Sequence, residues 1–187
     1  AIFPIGGATG EHLAALLADE QVPIETVETR DWTRQNLHVH VAASGEQYRF
    51  VMPGAALTDD EFRRLEEKVL TIDPGSLLVI SGSLPPGISV ENLMQLVKNA
   101  QQQGLRCIID SSGDALAAAL DVGNIELVKP NQKELSALVQ RDLSQPDDVR
   151  LAAQSLIQSG KVRRVVVSLG PQGALGVDAS GSVQVVP

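Results

Sequence analysis

The sequence predicts an α/β fold: a mainly parallel sheet flanked by helices in a three-layer α/β/α arrangement, with a small β lid. Three observations carry this. Segments 77–80, 107–109, 125–128 and 165–167 are almost purely β-branched or aliphatic, which suits strands buried on both faces. The stretches between them place apolar residues three and four apart, as in Leu93, Leu96, Val97 and Ala100, or Val149, Ala152, Ala153, Leu156 and Ile157. Those are the stripes of amphipathic helices. Strand and helix therefore alternate, and parallel neighbours joined by crossover helices are the economical outcome. The third observation is a change of period to two in residues 22–52.

In chain order, residues 9–20 predict a first helix carrying Leu13, Leu16 and Leu17. Within 22–52, Leu37, Val39 and Val41 alternate with Asn36, His38 and His40, residues 43–46 offer a turn, and 47–52 can return as a second strand. This antiparallel excursion is a candidate lid or dimer surface, and the pattern does not separate the two. Residues 1–21 and 53–187 are then the α/β core. Thr58, with Glu61 three residues on, has the spacing of a capping box before Phe62, Leu65 and Val69; Ser89 opens the next helix ahead of Leu93 and Leu96. No internal repeat or low-complexity segment is found.

Composition narrows the functional classes. A chain of 187 residues with 43% hydrophobic content suits one substantial core. Acidic residues outnumber basic ones, 23 to 15, with no basic block, so a nucleic-acid partner has no electrostatic footing. Cys107 is the only cysteine; an internal disulfide framework and a cysteine-based zinc finger are excluded, and a reducing, cytoplasmic setting fits. No apolar run reaches the roughly 18 to 20 residues of a membrane span, and the basic-then-apolar layout of a secretory signal is missing, so a membrane partner is not expected. The chain opens on Ala1-Ile2-Phe3 and stops at Pro187 behind another apolar segment. It reads as an internal fragment.

Ligands of open parallel sheets bind beyond the carboxyl ends of the strands, which directs attention to three loops. Residues 81–87, S-G-S-L-P-P-G, offer the hydroxyls of Ser81 and Ser83 on a constrained backbone; a rigid connector to the helix at Ser89 is an equal reading. Residues 129–134, K-P-N-Q-K-E, place the Lys129 cation at a strand end, and Asn131 opens a helix whose free N–H groups favour an anion. Glu134, one turn in, is able to hold a hydrated metal ion. On these residues alone a plain Asn131/Glu134 cap is the favoured reading. Residues 168–173, S-L-G-P-Q-G, let Gly170 and Gly173 bring the backbone close to a nucleotide, or merely turn a hairpin between 165–167 and 174–178. They form neither a Walker A loop nor G-x-G-x-x-G. His38 and His40 share a strand face, but His12 is the only other histidine, so solvent-facing side chains are favoured over a metal site. G-x-S-x-G is absent, which lowers the case for nucleophilic hydrolysis.

Taken together, S-G-S-L-P-P-G, then D-S-S-G at 110–113, K-P-N-x-x-E and S-L-G-P-Q-G stand in the order and rough spacing of the PfkB (ribokinase-like) carbohydrate kinases. Thr33-Arg34-Gln35-Asn36 resembles the T-R-x-N segment of the branch that phosphorylates hexose phosphates. The likeness covers essentially the whole chain. It implies a ribokinase-like fold, ATP and Mg2+ as cofactors, and phosphorylation of a hexose phosphate, foremost fructose 6-phosphate to fructose 1,6-bisphosphate in glycolysis. By that resemblance Lys129 and Asn131 face the nucleotide phosphates and Glu134 acts on Mg2+ through water. Ser168, Leu169, Gly170, Pro171, Gln172 and Gly173 line the ATP site, while Arg34 and Ser83 hold the sugar phosphate.

The sequence also departs from the family pattern. The catalytic Asp of a G-A-G-D motif and the glycine-rich substrate segment do not occur in it, so the base is expected beyond Pro187 and the isolated stretch is expected to be inactive. Tagatose 6-phosphate or fructose 1-phosphate are alternative substrates. A non-catalytic nucleotide-binding or regulatory module, or an interaction domain built on the excursion, are alternatives of another class. Half-apolar strands at 37–41 and 48–52 predict a homodimer through the outer face of the excursion. The kinase reading requires that 129–134 and 168–173 meet at one rim of the sheet.

Overall fold

The computed structural model describes residues 1–186, with Pro146 by its backbone only; Pro187, where the predicted core ends, lies outside them. The chain forms two compact units, one of Ala1–Thr71 with Pro85–Ile88, the other of Ile72–Leu84 with the chain from Ser89 onward.

The second unit is built on a six-stranded sheet of β5 (Leu77–Ser81), β6 (Arg106–Asp110), β7 (Ile125–Val128), β8 (Val162–Ser168), β9 (Ala174–Asp178) and β10 (Gly181–Val185), in the order β10-β9-β8-β7-β6-β5. β5 to β8 are parallel and β8 to β10 antiparallel. Helices α3 (Val90–Gln102), α4 (Gly113–Val122), α5 (Gln132–Val139) and α6 (Pro146–Gln158) connect the parallel strands. Because those strands add in sequence order in one direction, every right-handed crossover lays its helix on the same face. Facing that layer, the register aligns Ile80, Ile109, Val128, Val165 and Val177 in one row, and Ile109, Val128 and Val165 are completely buried. The predicted stripe Leu93, Leu96, Val97 and Ala100 is buried against them, as are Val149, Ala152 and Ala153 of α6. Each fully buried aliphatic side chain of this kind contributes about 1.5–3 kcal/mol. Ser89 caps α3, accepting the Asn92 N–H at 3.3 Å.

The α/β class and the mainly parallel sheet hold. Burial on both faces fails at β5, where Leu77 and Val79 are 50% and 57% exposed beside Arg106 and Ile108, whereas in β7 the consecutive residues Ile125 and Glu126 are both buried. Among the described residues, α3 to α6 of this unit form one helical layer on the sheet. An aliphatic run reports that a strand is hydrophobic, not which segment covers it.

In the first unit β1 (Ile2–Ile5) pairs in parallel with β2 (Glu25–Glu28), with α1 (Gly7–Asp19) as the crossover and α2 (Asp59–Val69) packed on both strands. Residues 25–28 thus pair with β1 and do not belong to the antiparallel excursion, which narrows to the hairpin β3 (Leu37–His40) and β4 (Gln47–Phe50). Its turn closes with Val41 N–H donating to Glu46 O at 2.8 Å. The contacts also divide the chain elsewhere than at residues 21 and 53, since α2 and Pro85–Ile88 stand with the first unit. α1 begins two residues ahead of its predicted start, and Leu13 and Leu16 stay 36% and 49% exposed. The Thr58/Glu61 box forms as the spacing predicts, with Thr58 N–H donating to Glu61 Oε2 at 2.7 Å. Among the described residues, no helix is long and apolar enough to cross a membrane.

Candidate functional site

Parallel strands end at a common rim, so the residues after β5, β6, β7 and β8 converge whatever their distance in sequence. They enclose a cleft of about 240 Å³ lined by Gly82, Ser83, Asp110, Ser111, Ser112, Lys129, Asn131, Glu134 and Ser168. The required meeting of 129–134 with 168–173 is present in the structure: Ser168 N–H donates to Pro130 O at 3.0 Å, and Asn131 and Ser168 pair as an isolated parallel bridge.

Lys129 extends β7 by one rung, its N–H donating to Ile109 O at 3.2 Å. That rung brings its Nζ to 3.1 Å from Asp110 Oδ1. The Ser81 hydroxyl lies 3.4 Å from Asp110 Oδ2. The loops after β5 and β6 are tied twice more, by Gly82 N–H to Asp110 O at 3.0 Å and by the Ser111 hydroxyl to Gly82 O at 2.8 Å. Ser83 is thereby held in the cleft wall.

The cap at Asn131 exists: Oδ1 accepts Glu134 N–H at 2.9 Å, and Glu134 Oε2 accepts Asn131 N–H at 2.8 Å. It uses one oxygen of each side chain. The Asn131 amide group and Glu134 Oε1 keep their capacity, and of the first-turn N–H groups of α5 those of Gln132 and Lys133 have no intrahelical partner. Cap and ligand site are therefore compatible on the same residues. Lys129 is one cation against the two carboxylates Asp110 and Glu134. A polyphosphate would be repelled by this set unless a divalent cation came with it. The donor set thus fits a hydrated Mg2+ accompanying the phosphates.

Of the other residues singled out from sequence, Leu169, Gly170, Pro171, Gln172 and Gly173 are outside the cleft wall. They make the β8–β9 hairpin turn, with a short 3-10 stretch at Gly170–Gln172 and Leu169 N–H donating to Gly173 O at 2.8 Å. Gly170 and Gly173 have φ of +59° and +88°, backbone that other L-residues rarely adopt. The hairpin reading of this loop is realised, and its start at Ser168 borders the cleft. Arg34 lies in the first unit at the base of the β3–β4 hairpin, its Nη1 donating to Met52 O at 3.3 Å. His38 and His40 are exposed. Asp110, Ser111 and Ser112 join the cleft without a role predicted from sequence, although D-S-S-G follows an aliphatic run just as the other rim loops do.

The family described as pfkB family carbohydrate kinase matches residues 1–187. The ATP-dependent 6-phosphofructokinase isozyme 2 of Escherichia coli K12 is 74% identical over 187 residues, 100% of this chain and 60% of that protein. The enzyme of the same name from Mycobacterium tuberculosis is 36% identical over 176 residues, 94% of this chain and 51% of that protein. The crystal structure of phosphofructokinase-2 from Escherichia coli in complex with fructose-6-phosphate matches with a TM-score of 0.97 at 74% identity, over 100% of this chain and 62% of that one. The chain thus spans between 51% and 60% of the length of these curated relatives.

Proposed function

Since the chain belongs to the pfkB family of carbohydrate kinases, we propose that its parent protein transfers the γ-phosphoryl group of ATP to fructose 6-phosphate, giving fructose 1,6-bisphosphate. The observation that supports this best is the rim cleft, where Lys129, Asn131, Glu134 and Ser168 meet on the ends of successive strands. Phosphoryl transfer asks a protein chiefly for positioning and for cations and N–H dipoles around the moving group. Lys129 and the Asn131 amide, with the open N-terminus of α5, bind the nucleotide phosphates. Asp110 orients Lys129 through their ion pair. Glu134 would hold a hydrated Mg2+, which would supply positive charge against the phosphates. The turn from Ser168 through Leu169, Gly170, Pro171, Gln172 and Gly173 borders the nucleotide. Ser83 and Arg34 are assigned to the sugar phosphate on motif resemblance; a guanidinium fork suits a phosphate dianion. No base is assigned, because G-A-G-D does not occur in these 187 residues.

The test is formation of fructose 1,6-bisphosphate by the whole protein, with Lys129→Ala lowering kcat/KM by about 100-fold or more, the scale of a lost electrostatic donor. Wild-type turnover by that variant would overturn the assignment. Residues 1–187 expressed alone should form no product. Melting with MgATP and with fructose 6-phosphate separately distinguishes a kinase, stabilised by both, from a module stabilised by nucleotide only. A cytoplasmic location is part of the proposal, since a charged sugar phosphate stays in the compartment that makes it.

A homodimer through the β3–β4 hairpin is part of the proposal. The register pairs Leu37 with Phe50 and Val39 with Tyr48 on one face, and His38 with Arg49 on the other. Leu37, Tyr48 and Phe50 are 59%, 50% and 51% exposed, and a two-stranded hairpin with a bare apolar face is marginal alone. Sedimentation should give a dimer that Leu37→Asp dissociates; a wild-type monomer at micromolar concentration rejects it.

A further inference from the structure

Arg34 sits at the end of a segment that is unusually well fastened for a surface connection. Thr33 is tied at three atoms. Its N–H donates to Gly6 O at 2.8 Å, its Oγ1 accepts Gly6 N–H at 3.0 Å, and its carbonyl accepts the Thr9 hydroxyl at 2.6 Å. Upstream, the Thr29 hydroxyl lies 3.0 Å from Ile5 O and 2.9 Å from Asp31 O, and Arg30 N–H donates to Glu61 Oε1 at 2.8 Å.

The seat beneath this segment is the G-G-A-T-G stretch at residues 6–10, which opens α1. A Cβ on Gly6 would stand 2.0 Å from Asp31 O, and one on Gly7 2.4 Å from the Trp32 ring. The chain can lie this close only because side chains are missing there. Among the described residues the guanidinium of Arg34 has a single protein bond, to Met52 O, so most of its donors stay available while its backbone neighbour is locked.

We propose that Thr33 is a positioning residue for the sugar-phosphate site: held by Gly6 and Thr9, it fixes the backbone from which Arg34 reaches the substrate phosphate. This rests on the assignment of Arg34 made above. A guanidinium–phosphate pair is directional and bidentate, and a flexible side chain reproduces that geometry only from a fixed origin. Small displacements of a binding group cost far more in recognition than in fold stability.

The test uses the whole enzyme and four variants. Thr33→Val removes the acceptor for Gly6 N–H, Thr33→Ser keeps it, Thr9→Val removes the donor to the Thr33 carbonyl, and Arg34→Ala removes the ligand group. Thr33→Val and Thr9→Val should each raise KM for fructose 6-phosphate by about five- to tenfold, the scale of one hydrogen bond. KM for MgATP and kcat should stay within about twofold, and Thr33→Ser should be near wild type. In an Arg34→Ala background, Thr33→Val should add less than about twofold, because its effect runs through the missing guanidinium. A Thr33→Val penalty that persists in that background, or that falls equally on MgATP, makes Thr33 a structural residue and overturns the inference. If Arg34→Ala leaves the sugar-phosphate KM unchanged, the assignment of Arg34 fails and the inference with it.

Discussion

Asn131 separates capping from ligand binding in one position. Its Oδ1 and the Glu134 carboxylate make a reciprocal pair at 2.9 and 2.8 Å, at the head of an eight-residue helix whose Leu135 is completely buried. Asn131→Ala strands the Glu134 N–H and should cost about 1 kcal/mol, a fall in Tm of about 2–4 °C. Asn131→Asp keeps the acceptor, and a carboxylate at a helix N-terminus is favourable by about 0.3–1 kcal/mol, so Tm should hardly move. Its effect on nucleotide is the opposite. It deletes the amide donor and adds a third carboxylate to the cleft of Asp110 and Glu134. At roughly 6 Å and an effective dielectric of about 20, a unit charge on phosphate is repelled by about 3 kcal/mol. Screening by physiological salt roughly halves this, leaving about a tenfold rise in KM for MgATP. Melting without ligand and steady-state kinetics on the whole enzyme read the two quantities separately. If Asn131→Asp binds MgATP as the wild type does, the residue is only a cap and the phosphate assignment is wrong.

Two further predictions concern pH. Burial pushes the Cys107 thiol up to about 11, so above its ordinary value of 9.0 the unfolded chain ionises while the folded one stays neutral. Stability should then fall between about pH 9 and 11, measured as a denaturation midpoint, and fall less in Cys107→Ala; equal slopes would reject this. The backbone N–H groups of Thr58 and Arg30 hold the Glu61 carboxyl below its ordinary 4.5, so its contribution is present above that pH and is lost as pH drops below it. Glu61→Gln should melt about 2–4 °C lower at pH 7 and lose less than the wild type on acidification. An acid-unfolding curve for Glu61→Gln parallel to that of the wild type would rule the contribution out.

How far the site could be read from sequence depended on whether its signals were local. Aliphatic runs marked the strands of the parallel sheet, and the i, i+3 spacings of Thr58 with Glu61 and Asn131 with Glu134 marked two helix starts, because a cap needs only its own turn. β2 has no such signal, since one residue of Glu25–Glu28, Val27, is buried, too little for a pattern; its partner β1 decides its place. The Arg30–Glu61 bond is likewise not legible locally, as it joins residues 31 apart in sequence.

The Asp110–Lys129 pair is the instructive case. Ser81 is the register partner of Asp110, and Ile109 is the partner of Val128. The next rung beyond Ile109 and Val128 therefore sets Asp110 beside Lys129, and the bridge of Asn131 to Ser168 carries the line to β8. Once the strands are parallel and in this register, hydroxyl, carboxylate, ammonium, amide and hydroxyl follow one another along the rim with no further choice. A shift of one residue between β6 and β7 would turn Lys129 to the other face of the sheet and leave Asp110 without its cation. The hydrophobic packing of Ile109 against Val128 is thus what holds the polar rim in order, and the site depends on the core for its chemistry as much as for its stability.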